Sequence, residues 1–149
     1  MALEPWLAFF HITSFLAWIV FASSQAALCR GDWLNAAGVR RLARLDRILW
    51  FATAAVVLSG LARVWWGAKG VQWYAANPLL YTKIVLFVIV ASLQISPSRH
   101  YRRWIGLLDT RGLPPAEEIQ GARRKIMIAT HLMAVIPLPA VFLARGFGG

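Results

Sequence analysis

Four long apolar segments determine what this chain can fold into. They occupy residues 6–28, 48–66, 78–95 and 126–143 of the 149-residue chain. Each is close to the roughly 20 residues that a helix needs to cross the ~30 Å hydrocarbon core of a bilayer. Inside lipid, a helix satisfies all its backbone hydrogen bonds within one segment, so it is the structure that such segments adopt. We therefore expect an all-α integral membrane protein.

The composition also favours a membrane over a soluble fold. Hydrophobic residues make up 59% of the chain and charged residues 15%, whereas soluble domains have about 45–50% and about 25%. The formal net charge of +10 is compatible with nucleic-acid binding, but the basic residues lie between the apolar segments, as membrane topology requires. We expect the lipid bilayer as a partner, no nucleic acid, and one transmembrane domain over residues 1–149.

The positions of the basic residues predict the orientation. The first and third loops with their flanks carry twelve of them: Arg30, Arg40, Arg41, Arg44, Arg47, Arg99, Arg102, Arg103, Arg111, Arg123, Arg124 and Lys125. The second loop has only Lys69. Because positively charged loops stay in the cytoplasm, we expect an antiparallel four-helix bundle in a bacterial inner (plasma) membrane, with both termini periplasmic.

Local signals predict where three helices begin. Asn77 can cap the third membrane helix, and Pro78 suits its first turn. The pair Pro114-Pro115, followed by two glutamates, is typical of a helix start, and that helix is expected to run on into the fourth span. The stretch Tyr101–Leu108 predicts a separate, short amphipathic helix lying at the cytoplasmic interface.

Ionisable residues within membrane spans are the strongest indication of function. His11 and Lys83 each lie five residues inside a predicted span, which places them roughly 7 Å below the outer edge. Arg63 lies one turn below that edge, and Arg145 reaches the same level. Glu4 is the only carboxylate expected on this side. Because unpaired cations are costly in lipid, we expect a cationic pocket near the outer face that takes an anionic ligand.

Haem and other porphyrins fit such a pocket. A histidine can bind the iron, and Arg or Lys side chains can pair with propionates. We therefore assign five candidate cofactor-binding residues: His11, which is also the candidate ligand of haem iron, Ser14, Trp18, Arg63 and Lys83. Helical spacing puts Ser14 and Trp18 on the same stripe as His11, and Gly60 would allow close helix approach. Alternatively, Arg63 and Lys83 reach lipid headgroups and His11 bonds a neighbouring helix.

His131 is a weaker candidate for a metal ligand. It lies roughly 9 Å from the cytoplasmic edge, so one iron would not easily take both His131 and His11. A structural bond from His131 to Asp46 or Thr53 is the alternative. Asp46, next to Arg47, is interpreted as half of a local ion pair at the interface.

Two family resemblances support this hypothesis. The run His11–Trp18, with tryptophan seven residues after histidine, resembles the first helix of HemJ-type protoporphyrinogen oxidases. Tyr81–Lys83 resembles their third helix and Leu58–Leu61 their second. The CopD copper-resistance membrane domains have a similar layout. The HemJ-type resemblance implies b-type haem, with His11 as a candidate ligand and with Lys83 and Arg63 near a porphyrin.

The whole chain also resembles a bacterial family of uncharacterised four-helix inner-membrane proteins. The residues that carry this likeness are Arg41–Asp46, Asn77-Pro78 and the closing Ala144–Gly148.

The function expected from these observations is that of a haem b- or porphyrin-binding membrane redox protein. If it is an enzyme, it is a haem-dependent membrane oxidoreductase, with a porphyrin or a quinone as its partner. One alternative is an accessory or scaffold subunit of a larger membrane complex. Another is a small anion carrier that works as a homo-oligomer. The cationic pocket favours the first function and the carrier, and the scarcity of acids favours the accessory subunit.

Overall fold

The computed structural model describes residues 3–148, and every regular element in that range is a helix. The six helices are α1 (Leu3–Leu28), α2 (Ala36–Trp66), α3 (Val71–Ala76), α4 (Pro78–Arg111), α5 (Ala116–Val135) and α6 (Pro137–Ala144). The all-α prediction is confirmed for this part of the chain.

Four helical stretches are long and apolar enough to cross a membrane: α1, α2, α4, and α5 together with α6. α1 packs along α2 and α5, and α4 packs along α2, α5 and α6. Large apolar side chains such as Phe51, Leu58 and Leu138 point outward and are more than half exposed. An apolar surface of this extent is compatible with lipid around the bundle and not with water. The prediction of a membrane protein with four spans is confirmed in these terms.

The two ends of the bundle carry different residues, and we call them the basic end and the terminal end. The loops α1–α2 and α4–α5 lie at the basic end. The chain termini and α3 lie at the terminal end. Two clusters of buried apolar residues fill the interior: one in the middle of the bundle, around Trp18, Val90 and Met133, and one at the basic end, around Leu42, Tyr101 and Ile126.

Two of the three predicted helix starts are confirmed, those after Asn77 and after Pro114-Pro115. The Asn77 side chain accepts a hydrogen bond from the backbone N–H of Leu79 at 3.0 Å, and Pro78 occupies the first turn of α4. α5 begins at Ala116, directly after the Pro114-Pro115 pair. Asn35 caps α2 in the same way, accepting from the backbone N–H of Gly38 at 2.8 Å.

The predicted separate interface helix at Tyr101–Leu108 is wrong, because these residues continue α4 without a break. Tyr101 and Trp104 are buried against α5 residues such as Ile119. This packing holds the segment onto the bundle. Pro97 lies within α4 and lacks a backbone N–H, but the contacts on both sides of it keep the helix continuous.

The fourth span, predicted as one helix, is divided at Ile136 into α5 and α6. Pro137 and Pro139 cannot donate backbone hydrogen bonds, which explains the break. The short helix α3 was not predicted, because six residues are too few for a recognisable apolar period.

Asn77 offers a test of how the terminal end is held. Its side chain is fully buried, caps α4 and also donates from Nδ2 to the carbonyl of Phe147 at 2.9 Å. We expect Asn77→Ala to lower the free energy of unfolding by about 2 kcal/mol, since a cap and a second hydrogen bond are each worth about 1 kcal/mol.

Asn35→Ala is the matched control, because Asn35 is exposed and provides only a cap. It should cost about 1 kcal/mol. Unfolding in mixed detergent micelles measures both variants, and equal losses would refute the second role of Asn77.

Candidate functional site

His11 faces α2 and is held by a hydrogen bond. Its Nδ1 lies 2.9 Å from Oγ of Ser59. The Ser59 hydroxyl donates its single proton to backbone carbonyls of its own helix, at Ala55 and Val56. His11 Nδ1–H is then the donor to Ser59, and Nε2 keeps its lone pair. An imidazole fixed in this way is oriented for metal ligation through Nε2.

The close approach of α1 to α2 at this level depends on Gly60. A Cβ atom at Gly60 would lie 3.3 Å from Cε1 of His11. The predicted role of Gly60 in close helix approach is confirmed, because the imidazole ring occupies the space that a side chain would fill.

Lys83 of α4 and Arg63 of α2 lie close enough to His11 for their charges to act on its ring and on each other. All three side chains are half-buried. We call His11, Arg63 and Lys83 the cationic cluster. The sequence predicts that these three residues lie at a similar depth. In the structure they come from three different helices and lie near one another.

The cationic cluster has no acidic partner among the residues that the structure describes. The only ion pair there joins Arg103 to Glu118 at the opposite, basic end. Glu4 is exposed in the first turn of α1. The cluster therefore leaves positive charge uncompensated in a half-buried position.

The cationic cluster lies just beyond the closely packed part of the bundle. The buried residues of α1 begin at Trp18, those of α2 end at Val56 and those of α4 begin at Val90. Nearer the terminal end, the same helices are only half-buried or exposed up to Asn77. The cluster thus lies on the terminal side of the buried residues of these three helices.

Ser14 and Trp18 have local partners. The Ser14 hydroxyl donates to the carbonyl of Phe10 at 2.7 Å. Trp18 is almost fully buried, and its Nε1 donates to Oγ1 of Thr53 at 3.0 Å. The assignment of both residues to cofactor binding stays a prediction.

His131 lies apart from the cationic cluster. It is exposed on α5, and its Nδ1 lies 2.6 Å from the carbonyl of Met127 on the same helix. The alternative of a bond to Asp46 or Thr53 is therefore wrong. Over residues 3–148, no group of three or more His, Cys, Asp or Glu side chains is assembled that could hold a metal ion by itself. Arg145 is exposed at the terminal end.

A second polar feature was not predicted. Five polar side chains are buried in the middle and the basic half of the bundle; we call them the buried polar layer: Gln25, Asp46, Thr53, Gln94 and Ser98. They come from α1, α2 and α4. Hydrogen bonds join Asp46 to Ser98 and Thr53 to Gln94, whereas Nε2 of Gln25 and Nε2 of Gln94 have no partner among the described residues. The Thr53 hydroxyl, for example, accepts from Trp18 and lies 3.1 Å from Oε1 of Gln94.

Asp46 belongs to this layer. Its Oδ1 accepts a hydrogen bond from Ser98 Oγ at 2.6 Å, and Ser98 in turn accepts from Trp50 Nε1 at 2.9 Å. The interpretation of Asp46 as an ion pair with Arg47 is wrong, because Arg47 is exposed and Asp46 is 5% exposed.

A signal for this burial was present in the sequence. Leu42, Asp46, Leu49, Thr53 and Val56 follow each other at spacings of four and three residues, the repeat of one helical face. Asp46 and Thr53 therefore lie on the same helical face as the buried apolar residues.

Ser98 offers a test of the buried polar layer. Ser98→Ala would leave Asp46 and Trp50 without their shared partner, and an unpaired buried polar group costs about 1–3 kcal/mol. We expect a loss of about 2–4 kcal/mol in the free energy of unfolding, measured in mixed micelles.

Ser92→Ala is the matched control. Ser92 is exposed and bonds only the Val88 carbonyl of its own helix. This change should stay within about 0.5 kcal/mol, and a similar loss for both variants would contradict the role of Ser98.

Comparison with known proteins places the chain in a family. No curated protein matches it, and no solved structure matches it. A family model described as "Predicted membrane protein (DUF2214)" matches residues 4–148, which is nearly the whole chain. The four apolar helical spans of the structure agree with that description. The chain therefore belongs to the DUF2214 family of predicted membrane proteins.

Proposed function

We propose that the protein binds haem b, or a related porphyrin carboxylate, at the cationic cluster, with His11 as the iron ligand. The observation that carries the proposal is the meeting of His11, Arg63 and Lys83 from three helices at one half-buried level. No carboxylate of the described residues pairs with them.

The electrostatics favour an anionic ligand over empty space. Positive side chains that face lipid or a poorly solvated cavity are unfavourable unless they reach water, headgroups or a counter-ion. Two propionates on one macrocycle would supply two negative charges at a spacing that two separate cations can meet. Hydrogen bonds between such charged groups are among the strongest in proteins.

The environment of His11 favours ligation of iron. The hydrogen bond from Nδ1 to Ser59 fixes the ring and leaves Nε2 free, as is usual for histidines that bind metals. Gly60 lets the ring lie against α2. A flat macrocycle would then lie beside His11, on the terminal side of the buried Trp18.

The resemblance of His11–Trp18 and Tyr81–Lys83 to HemJ-type oxidases supports the porphyrin class of ligand. If the bound group is haem iron, it supplies one-electron chemistry, and the protein is a membrane redox protein. Under the positive-inside rule the terminal end, and with it the cationic cluster, faces the periplasm of a bacterial inner membrane.

Replacement of His11 tests the iron ligand. We expect the protein, expressed under haem-replete conditions and purified in mild detergent, to show a reduced-minus-oxidised spectrum of b-type haem. His11→Ala should lose that spectrum, because the fifth ligand is removed. His131→Ala is the matched control and should keep it, since His131 lies on another helix and faces outward.

A wild-type protein without haem absorbance would contradict the haem proposal. A spectrum that survives in His11→Ala, or is lost in His131→Ala, would contradict the assignment of His11 as the ligand.

Arg63 and Lys83 are tested with a metal-free porphyrin. We expect protoporphyrin IX to bind the purified protein and the double variant Arg63→Gln/Lys83→Gln to bind it at least about tenfold more weakly, since hydrogen bonds between charged groups contribute about 1.5–3 kcal/mol each. Fluorescence titration measures both affinities.

Arg44→Gln is the control for net charge, because Arg44 is an exposed arginine at the basic end. If it weakens porphyrin binding as much as the double variant does, the ligand responds to overall charge and the site proposal fails.

A further inference from the structure

A groove runs along the outer face of α5, far from the cationic cluster. Its volume is about 670 Å³, and its lining residues all belong to α5. Along the helix from the basic end, the lining changes from charged to apolar. Gln120, Arg123 and Arg124 come first, and Met127, Ile128, His131 and Leu132 follow one to two turns deeper.

The charged part of the α5 groove is partly organised in advance. Arg123 Nε donates to the carbonyl of Ala26 near the end of α1, at 3.2 Å. This bond holds the guanidinium in place while its two terminal nitrogens remain available for an oxyanion. Arg124 is exposed beside it. Two adjacent guanidinium groups favour phosphate, which accepts their paired hydrogen bonds.

The apolar part of the groove continues toward the middle of the membrane. Met127 and Ile128 are exposed on α5, which belongs to a span of the membrane. By a rise of 1.5 Å per residue, His131 lies about 10 Å further along the helix than Arg124. A molecule that fills the whole groove therefore needs an anionic head at one end and an apolar tail at the other.

We propose that the α5 groove binds one anionic phospholipid of the surrounding membrane. Its phosphate pairs with Arg123 and Arg124, and an acyl chain lies along Met127, Ile128 and Leu132. Charge complementarity selects an anionic lipid, because the two arginines have no acidic partner among the described residues. Basic sites beside membrane helices bind lipid headgroups in this way. The inference is independent of the proposed haem site.

The test compares lipids on the purified full-length protein. We expect phosphatidylglycerol, added to detergent micelles, to bind with a defined stoichiometry in native mass spectrometry and to raise the thermal unfolding temperature more than phosphatidylcholine does. Arg123→Gln/Arg124→Gln should weaken phosphatidylglycerol binding by about thirtyfold, as expected for two arginines that contribute about 1 kcal/mol each. Inorganic phosphate alone should have no effect, because the site needs the tail.

Two control variants keep the test decisive. Arg124→Gln alone changes an exposed side chain, so it should fold normally and lose part of the lipid preference. Arg44→Gln removes an arginine outside the groove and should leave lipid binding unchanged. Equal binding of phosphatidylglycerol and phosphatidylcholine, an equal effect of Arg44→Gln, or an equal response to inorganic phosphate would each overturn the proposal.

Discussion

The structure depends on one constraint, the high free energy of an unpaired polar or charged group away from water. Within lipid this constraint forces each span into a helix, whose backbone is satisfied internally. The same constraint applies to side chains. Asn77 is fully buried and uses its amide for two contacts, one to its own helix and one to the chain end. Polar side chains in this bundle are therefore informative about how it is held together and what it binds.

The bundle meets that constraint in two different ways. In the buried polar layer, side chains pair across helices, as Ser98 of α4 does with Asp46 and Trp50 of α2. In the cationic cluster only His11 has a hydrogen-bond partner among residues 3–148, and the charges of Arg63 and Lys83 repel rather than compensate each other. The first arrangement stabilises the fold by itself. The second gains most from a ligand that brings negative charge, and this difference separates a structural feature from a candidate binding site.

Much of this structure was predictable from the sequence, because the strongest signals were local or periodic. Four apolar segments of membrane length gave the spans, and Asn77 with Pro78 marked a helix start. The shared depth of His11 and Lys83 followed from counting residues along two helices that enter from the same side. Their proximity to Arg63 then requires only that α2 packs beside α1 and α4.

The remaining features depended on packing that local patterns do not encode. Tyr101 and Trp104 were interpreted as interface residues, but contacts with α5 keep them in the long helix α4. Asp46 was assigned to its neighbour in sequence, Arg47, although its partner Ser98 is 52 residues away. The sequence also does not show whether the His131 side chain points into the bundle, because a single histidine on a helix does not determine which face packs inward.

The measurement that tests the central claim most directly is native mass spectrometry of the protein released from its own membranes in mild detergent. It weighs the small molecules that remain bound without presupposing their absorbance or chemistry. We expect one tightly held, carboxylate-bearing ligand of haem or porphyrin mass, absent from a variant in which His11, Arg63 and Lys83 are replaced. A protein that carries no such ligand, or carries it equally in that variant, would contradict the claim.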